Sequence, residues 1–208
     1  MMKVAVTGNV ASGKTLLCRS WAREGVPLVH ADDLAREAVA PGTPGLAAVV
    51  ETFGEEILDQ DGGLQRAALR EVVFQDPRAR KKLEEILHPL IRDLRNRWMK
   101  EQEAGGSLMA VAEIPLLFEV GLEGDFHVVV VVDAPREERL RRLLEDRGLE
   151  EEEARRIMGT QMPAEEKLGR ADYVVRNDGS PGELEARALA LLDLLRARAG
   201  EGPGEAGA

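Results

Sequence analysis

The chain has 208 residues, of which 44% are hydrophobic and 32% charged, with a formal net charge of −10. That balance reads as a globular protein long enough to bury a sizeable core, and its acidity excludes a general nucleic-acid binder, whose affinity rests on neutralising phosphates. The lone cysteine, Cys18, excludes an intramolecular disulfide and a thiolate metal site, and an aromatic content of 3% excludes a stacking platform for single strands.

Met1–Thr7 reads as a strand built on the apolar run Val4-Ala5-Val6, not as a basic-then-apolar leader. No stretch reaches the roughly eighteen apolar residues of a membrane span, so the expectation is a soluble, cytoplasmic protein without membrane or nucleic-acid partners. Gly8-Asn9-Val10-Ala11-Ser12-Gly13-Lys14-Thr15 follows the strand at once and fits the phosphate-binding pattern G-x-x-x-x-G-K-[ST]. Gly8 and Gly13 let the backbone turn so that successive N–H groups point at phosphate oxygens. Lys14 sets a positive charge against the terminal phosphates, and the Thr15 hydroxyl suits the shell of a Mg²⁺ ion, which needs few protein oxygens. A helix beginning here adds its positive dipole end.

Leu16–Glu24 is expected as that helix, with Gly25 stopping it and Cys18 as a small buried residue. Val26–His30 is then a buried strand, making a right-handed βαβ unit with a parallel sheet. Asp32 and Asp33 follow at the carboxyl end of that strand, where open parallel sheets gather ligands. Asp32 serves as N-cap of a helix over Leu34–Val39, as a general base for an acceptor hydroxyl, or as both.

Pro41-Gly42-Thr43-Pro44-Gly45 breaks the chain, and residues 46–102 hold no convincing strand. Helices are expected over Leu46–Phe53 and Arg66–Phe74, separated by a turn at residues 59–63. Asp76-Pro77 opens a long amphipathic helix with a core-facing stripe of Leu83, Ile86, Leu87, Leu90, Ile91 and Leu94, kinked or split at Pro89. His88 reads more readily as a structural side chain than as a ligand, and Arg92 as either a solvated charge or a phosphate contact. Beyond Gly105-Gly106, strands are expected at Leu108–Ile114 and Phe126–Val132. Glu113 near the end of the first is either a capping carboxylate or a water-mediated Mg²⁺ contact.

A helix over Glu137–Arg147 and the charge-dense run to Arg156 read as mostly exposed and ion-paired, with one or two arginines free to act on a transferred phosphoryl group. A last strand at residues 171–177 and a closing helix over Glu183–Arg198 complete the pattern.

Several of these pieces, in order, resemble one family, the dephospho-coenzyme A kinases. They include Thr7–Thr15, His30-Ala31-Asp32-Asp33-Leu34-Ala35-Arg36, Asp61-Gly62-Gly63-Leu64-Gln65-Arg66 and Leu87-His88-Pro89-Leu90-Ile91-Arg92. Ile114-Pro115-Leu116-Leu117-Phe118-Glu119, Gln161-Met162 with Glu166-Lys167-Leu168, and Ala171-Asp172-Tyr173-Val174-Val175 with Asn177 continue the set. The resemblance implies an α/β P-loop kinase fold: a five-stranded parallel sheet flanked by helices, with a helical acceptor-binding insertion and a helical lid. In this chain it implies a single domain over residues 1–199, with core 1–35, 106–135 and 171–199, insertion 36–105, lid 136–170, and a disordered tail at 200–208.

The implied reaction moves the γ-phosphoryl of ATP, with Mg²⁺, to the ribose 3′-hydroxyl of dephospho-coenzyme A; a kinase for another nucleoside or nucleotide is the alternative. By the same resemblance Asp32 is the base, and Lys14 and Arg142 stabilise the transferred phosphoryl. Gly8, Ala11, Ser12, Gly13, Lys14, Thr15 and Leu16 hold ATP, with Thr15 on the metal and Asn177 in the turn that holds adenine. Arg66, His88 and Arg92, with Asp32, bind the acceptor. Two departures stand out: His30 replaces the family's usual first Asp, and Asp146-Arg147 inverts its usual Arg-Asp.

Overall fold

The computed structural model describes residues 1–200; the expected tail beyond Gly200 lies outside them. In chain order the strands are β1 (Met2–Thr7), β2 (Leu28–His30), β3 (Met109–Glu113), β4 (Val128–Asp133) and β5 (Tyr173–Arg176). Between β1 and β3 come helices α1 (Lys14–Arg23), α2 (Ala31–Ala38), α3 (Pro44–Phe53), α4 (Arg66–Gln75) and α5 (Pro77–Ala104). After β4 come α6 (Arg136–Glu145), α7 (Glu151–Gly159), α8 (Ala164–Leu168) and, last, α9 (Pro181–Gly200).

The sheet has five parallel strands in the order β2-β3-β1-β4-β5. Register pairs Val6 with Glu113 and with Val130, so the loop after β1 leaves from a central strand with neighbours on both sides. Val128 through Val132 are all buried, as a run covered on both faces requires. The chain forms two compact units, Met1–Val29 with Glu101 onward, and His30–Lys100.

In the first unit, Leu17, Cys18 and Trp21 of α1 pack with Leu184, Ala188, Leu192 and Leu195 of α9 and with the valines of β1 and β4. The α9 positions recur at helical spacing, and the Trp21 indole donates to Ala188 O at 2.7 Å, so the largest buried side chain is also polar-satisfied. Burial of Cys18 is as expected. In the second unit, Val39, Leu46, Val49, Ile57 and Leu69 form a separate core, against which Leu83, Ile86 and Leu87 of α5 pack. Thr43 caps α3, its Oγ1 accepting from Leu46 N at 3.2 Å, with Pro44 at the first helical position.

Three expectations need correction. The helix over α5 runs unbroken through Pro89, so of the two alternatives, a kink or a split, the split is excluded. Proline removes one hydrogen bond, that to the Glu85 carbonyl, and both Pro89 and Glu85 are exposed, so the loss falls on the solvent side of the helix rather than in the core. Asp32 is not an N-cap: α2 starts at Ala31 with His30 as its cap residue, because β2 passes into the helix without a loop. Asp32 and Asp33 stand in the first turn, where their charges complement the helix dipole. Gly200, expected in the tail, is the last residue of α9.

Candidate active site

The loop between β1 and α1 must reverse the chain in six residues, and its backbone shows why glycine is needed twice. Gly8 has φ +143°, and a Cβ there would lie 2.2 Å from Val132 O. Gly13 has φ +102°, and a Cβ would lie 2.3 Å from Asn177 Nδ2. Between them Ala11 adopts φ +58°, a left-handed conformation that costs a non-glycine residue of order 1 kcal/mol and concentrates at functional sites. Gly13 gives α1 no side-chain cap, so the first N–H groups of the helix are available to an anion. The Ser12 hydroxyl is buried and finds no hydrogen-bond partner among the described residues.

Lys14 is 8% exposed, and its ammonium donates to Gly8 O at 2.9 Å and Asn9 O at 3.0 Å. Burial pushes its pKa down from 10.5 to about 8; Glu113 opposes the fall, while the positive charges of Lys167 and Arg147 add to it. Glu113, itself buried at the end of β3, accounts with burial for the opposite shift at Cys18, whose thiol is held well above its ordinary range and is therefore unreactive. Thr15 is exposed at the second position of α1, and Leu16 packs on the core beneath.

Two residues from the far end of the chain hold the loop. Arg142 of α6 donates to Ala11 O at 3.1 Å and to Asn177 O at 3.4 Å. Asn177, directly after β5 and buried, donates its side-chain amide to Ser12 O at 2.8 Å. Of the other arginines on α6, Arg141 is spent on Glu138 and Glu145, and Arg139 is buried with its Nε on Ala134 O. Of these three, only Arg142 reaches the loop by a hydrogen bond. Residues 136–170 also seat on the loop through packing: Leu143, Ala154 and Met158 form an apolar cluster that includes Val10 and Ala11.

Sequence reasoning gave no role to a second set of contacts. The Gln161 side-chain oxygen accepts the Val10 N–H at 2.8 Å, and Asn9 Nδ2 donates to Met162 O at 3.0 Å. Met162 N donates to Glu119 Oε1 at 3.1 Å, and the Lys167 ammonium lies 2.7 Å from the same oxygen. All four partners sit in pieces on which the resemblance was drawn, so the signal was present without a chemistry attached.

The remaining expected site residues belong to the second unit. Asp32 is exposed in the first turn of α2, Arg66 begins α4 and is exposed, and His88 and Arg92 are exposed one helical turn apart on α5. Their common membership of residues 30–100 is a fact of the chain's division into units.

A family model described as dephospho-CoA kinase matches residues 2–183. A dephospho-CoA kinase of Frankia casuarinae is 48% identical over 198 residues, covering 95% of this chain and 85% of that protein. Among solved structures, a Thermus thermophilus protein superposes with a TM-score of 0.80 at 38% identity over 93% of this chain and 97% of its own. A dephospho-CoA kinase from Campylobacter jejuni does so with a TM-score of 0.74 at 26% identity, over 94% and 98%. The match runs from the first strand, through the loop that Arg142 and Asn177 hold, into the last helix, and the chain belongs to the dephospho-CoA kinase family.

Proposed function

We infer that this protein transfers the γ-phosphoryl of ATP to the ribose 3′-hydroxyl of dephospho-coenzyme A, giving coenzyme A and ADP in the last step of coenzyme A synthesis. The observation that carries the reading furthest, beside family membership, is the loop with its uncapped helix start and a buried ammonium at its mouth. Such a site is built for a polyphosphate, and phosphoryl transfer needs mainly positioning and charge stabilisation.

In this mechanism the Asp32 carboxylate takes the proton of the 3′-hydroxyl as its oxygen bonds to the γ-phosphorus. The bond from that phosphorus to the β–γ bridging oxygen breaks, and ADP leaves with the charge. Supporting this role, Asp32 is exposed two residues after β2, in the first turn of α2, at the strand end where ligands of parallel sheets gather. Lys14 and Arg142 meet the negative charge that spreads over the transferred group, and Asn177 holds the loop beside the adenine turn. Arg66, His88 and Arg92 are exposed donors fit to bind the acceptor's phosphates, within an insertion, residues 36–105, that serves to bind the acceptor, while residues 136–170 serve as a lid.

Among the described residues no group of three or more His, Cys, Asp or Glu side chains is arranged to hold a metal. The exposed Thr15 hydroxyl suits a Mg²⁺ arriving with ATP, which would be held by phosphate oxygens, water and that hydroxyl, with Glu113 acting through water. The ion, when bound, neutralises charge on the phosphates. No helix among the described residues is long and apolar enough to cross a membrane, and a cytoplasmic location is part of the proposal.

An ADP-release assay with a panel of acceptors tests the reading. Turnover that requires dephospho-coenzyme A supports it, whereas turnover only with a plain nucleoside or nucleoside monophosphate assigns the protein a different acceptor. ATP consumption indifferent to every acceptor makes it a nucleotide switch.

A further inference from the structure

Lys167 sits on the short helix α8, beside Glu165 and Glu166, which are exposed, yet its own side chain is fully buried. Burying an ammonium carries a desolvation cost that an ion pair repays only with good geometry and further hydrogen bonds. Lys167 has neither. Its contact with Glu119 Oε1, at 2.7 Å, is close in distance but off the hydrogen-bond axis, and its N–H donors find no hydrogen-bond partner among the described residues. The same Glu119 oxygen already accepts the Met162 N–H.

A lysine whose purpose was to neutralise Glu119 would not need to be there, because that carboxylate keeps 20% of its surface in water. The second difficulty is electrostatic. Lys167 is near enough to Lys14, also buried, for its charge to help lower the Lys14 pKa, after burial itself. Like charges this close disfavour each other's charged form, and an anion between them relieves that repulsion.

The framework that sets Lys167 there is tied to the loop itself. Glu119 holds Met162, Met162 O holds the Asn9 side chain, and Gln161 holds the Val10 N–H, so the segment leading into α8 is tied to the first half of the loop by two hydrogen bonds and to Glu119 by a third. Resting on the ATP-dependent kinase reading, we propose that Lys167 is a second lysine of the phosphate site. It donates its unsatisfied N–H groups to the polyphosphate of the donor nucleotide, opposite Lys14, while Glu119 fixes its position. It thereby stabilises the charge of the transferred phosphoryl group as a catalytic residue.

The test uses the full chain, with the variants Lys167→Met and Lys167→Met/Glu119→Gln. The measurements are tripolyphosphate affinity by calorimetry, kcat for acceptor-dependent ADP release, and thermal midpoint. The single variant is expected to lose about tenfold or more in tripolyphosphate affinity and about 10²-fold in kcat, with KM for dephospho-coenzyme A little changed. The double variant, which also removes the carboxylate left without its lysine, is expected to fold normally and to remain equally defective.

A double variant with wild-type affinity and kcat overturns the proposal, because it makes Lys167 only the counterion of Glu119. So does a single variant that matches the wild type. Should the single variant fail to fold, the double variant decides alone. Absence of acceptor-dependent turnover in the wild type would refute the kinase reading instead, while tripolyphosphate binding would still report on Lys167.

Discussion

Lys14 gives a prediction that pH alone can test. In the protein without phosphate its pKa is about 8 rather than 10.5, chiefly because it is buried, with Glu113 too weak an opponent and Lys167 and Arg147 repelling it. A bound polyphosphate returns the charge it lacks, raising the pKa to its ordinary value or above. At about pH 9 roughly nine-tenths of the free protein then carries a neutral Lys14, against roughly one-tenth at about pH 7. Binding tripolyphosphate or ATP should therefore take up about 0.9 of a proton at the higher pH and about 0.1 at the lower, and affinity should fall about tenfold between them. Calorimetry in buffers of contrasting ionisation enthalpy reads the uptake directly. Heats near pH 9 that do not depend on buffer would refute the argument.

The same shift has a consequence for stability, opposite in sign to that of a lysine with a partner. Because the folded pKa lies below the unfolded one, the unfolded chain binds more protons between about pH 8 and 10.5. Lys14 thus lowers stability below about pH 8, and that penalty is relieved as pH rises towards 10.5, by at most about 3 kcal/mol.

Asp32→Asn should lower kcat by about 10²- to 10⁴-fold while leaving ATP affinity nearly unchanged by calorimetry; near-normal turnover would reduce Asp32 to a dipole partner of α2. Arg142→Ala removes the donors to Ala11 O and Asn177 O, and kcat in the ADP-release assay should drop by about 10²-fold or more. Intact turnover there would move the phosphoryl contact to Arg139 or Arg147. Gly13→Ala forces a Cβ against the Asn177 amide at a φ of +102°, and a denaturant titration should show a loss of at least about 1–3 kcal/mol. A wild-type midpoint would mean that the loop relaxes around the methyl group.

Much of this was legible in the sequence because local chemistry and the global fold agree. The strands lie where valine runs meet turn residues, and the phosphate loop needs its residue types in one contiguous stretch. What escaped notice depended on contacts distant in sequence. Pro89 marks a break by local rules, yet the exposed side of α5 tolerates the missing hydrogen bond. Lys167, set among glutamates, reads as a surface charge until α8 packs on β4 and buries it. The start of α2 was misplaced because His30 ends a strand and caps a helix at once, and no turn residue announces the change.

The contacts around the loop explain why so many of its partners come from the other end of the unit. Lys14 takes the carbonyls of Gly8 and Asn9, Arg142 takes that of Ala11, and Asn177 that of Ser12. The Gly13 carbonyl accepts from Leu16 N and Leu17 N. A peptide unit points its N–H opposite to its C=O, so holding the Ser12 and Gly13 oxygens turns the Gly13 and Lys14 amides the other way, while the Val10 and Ser12 amides are spent on Gln161 and Asn9 O. The donors are thus oriented during folding, and the site needs little reorganisation when charge develops on the phosphoryl group. Lys14 and Arg142 must both change partners, giving up loop oxygens for phosphate oxygens, and for Lys14, whose pKa burial lowers to about 8, the change is also one of ionisation.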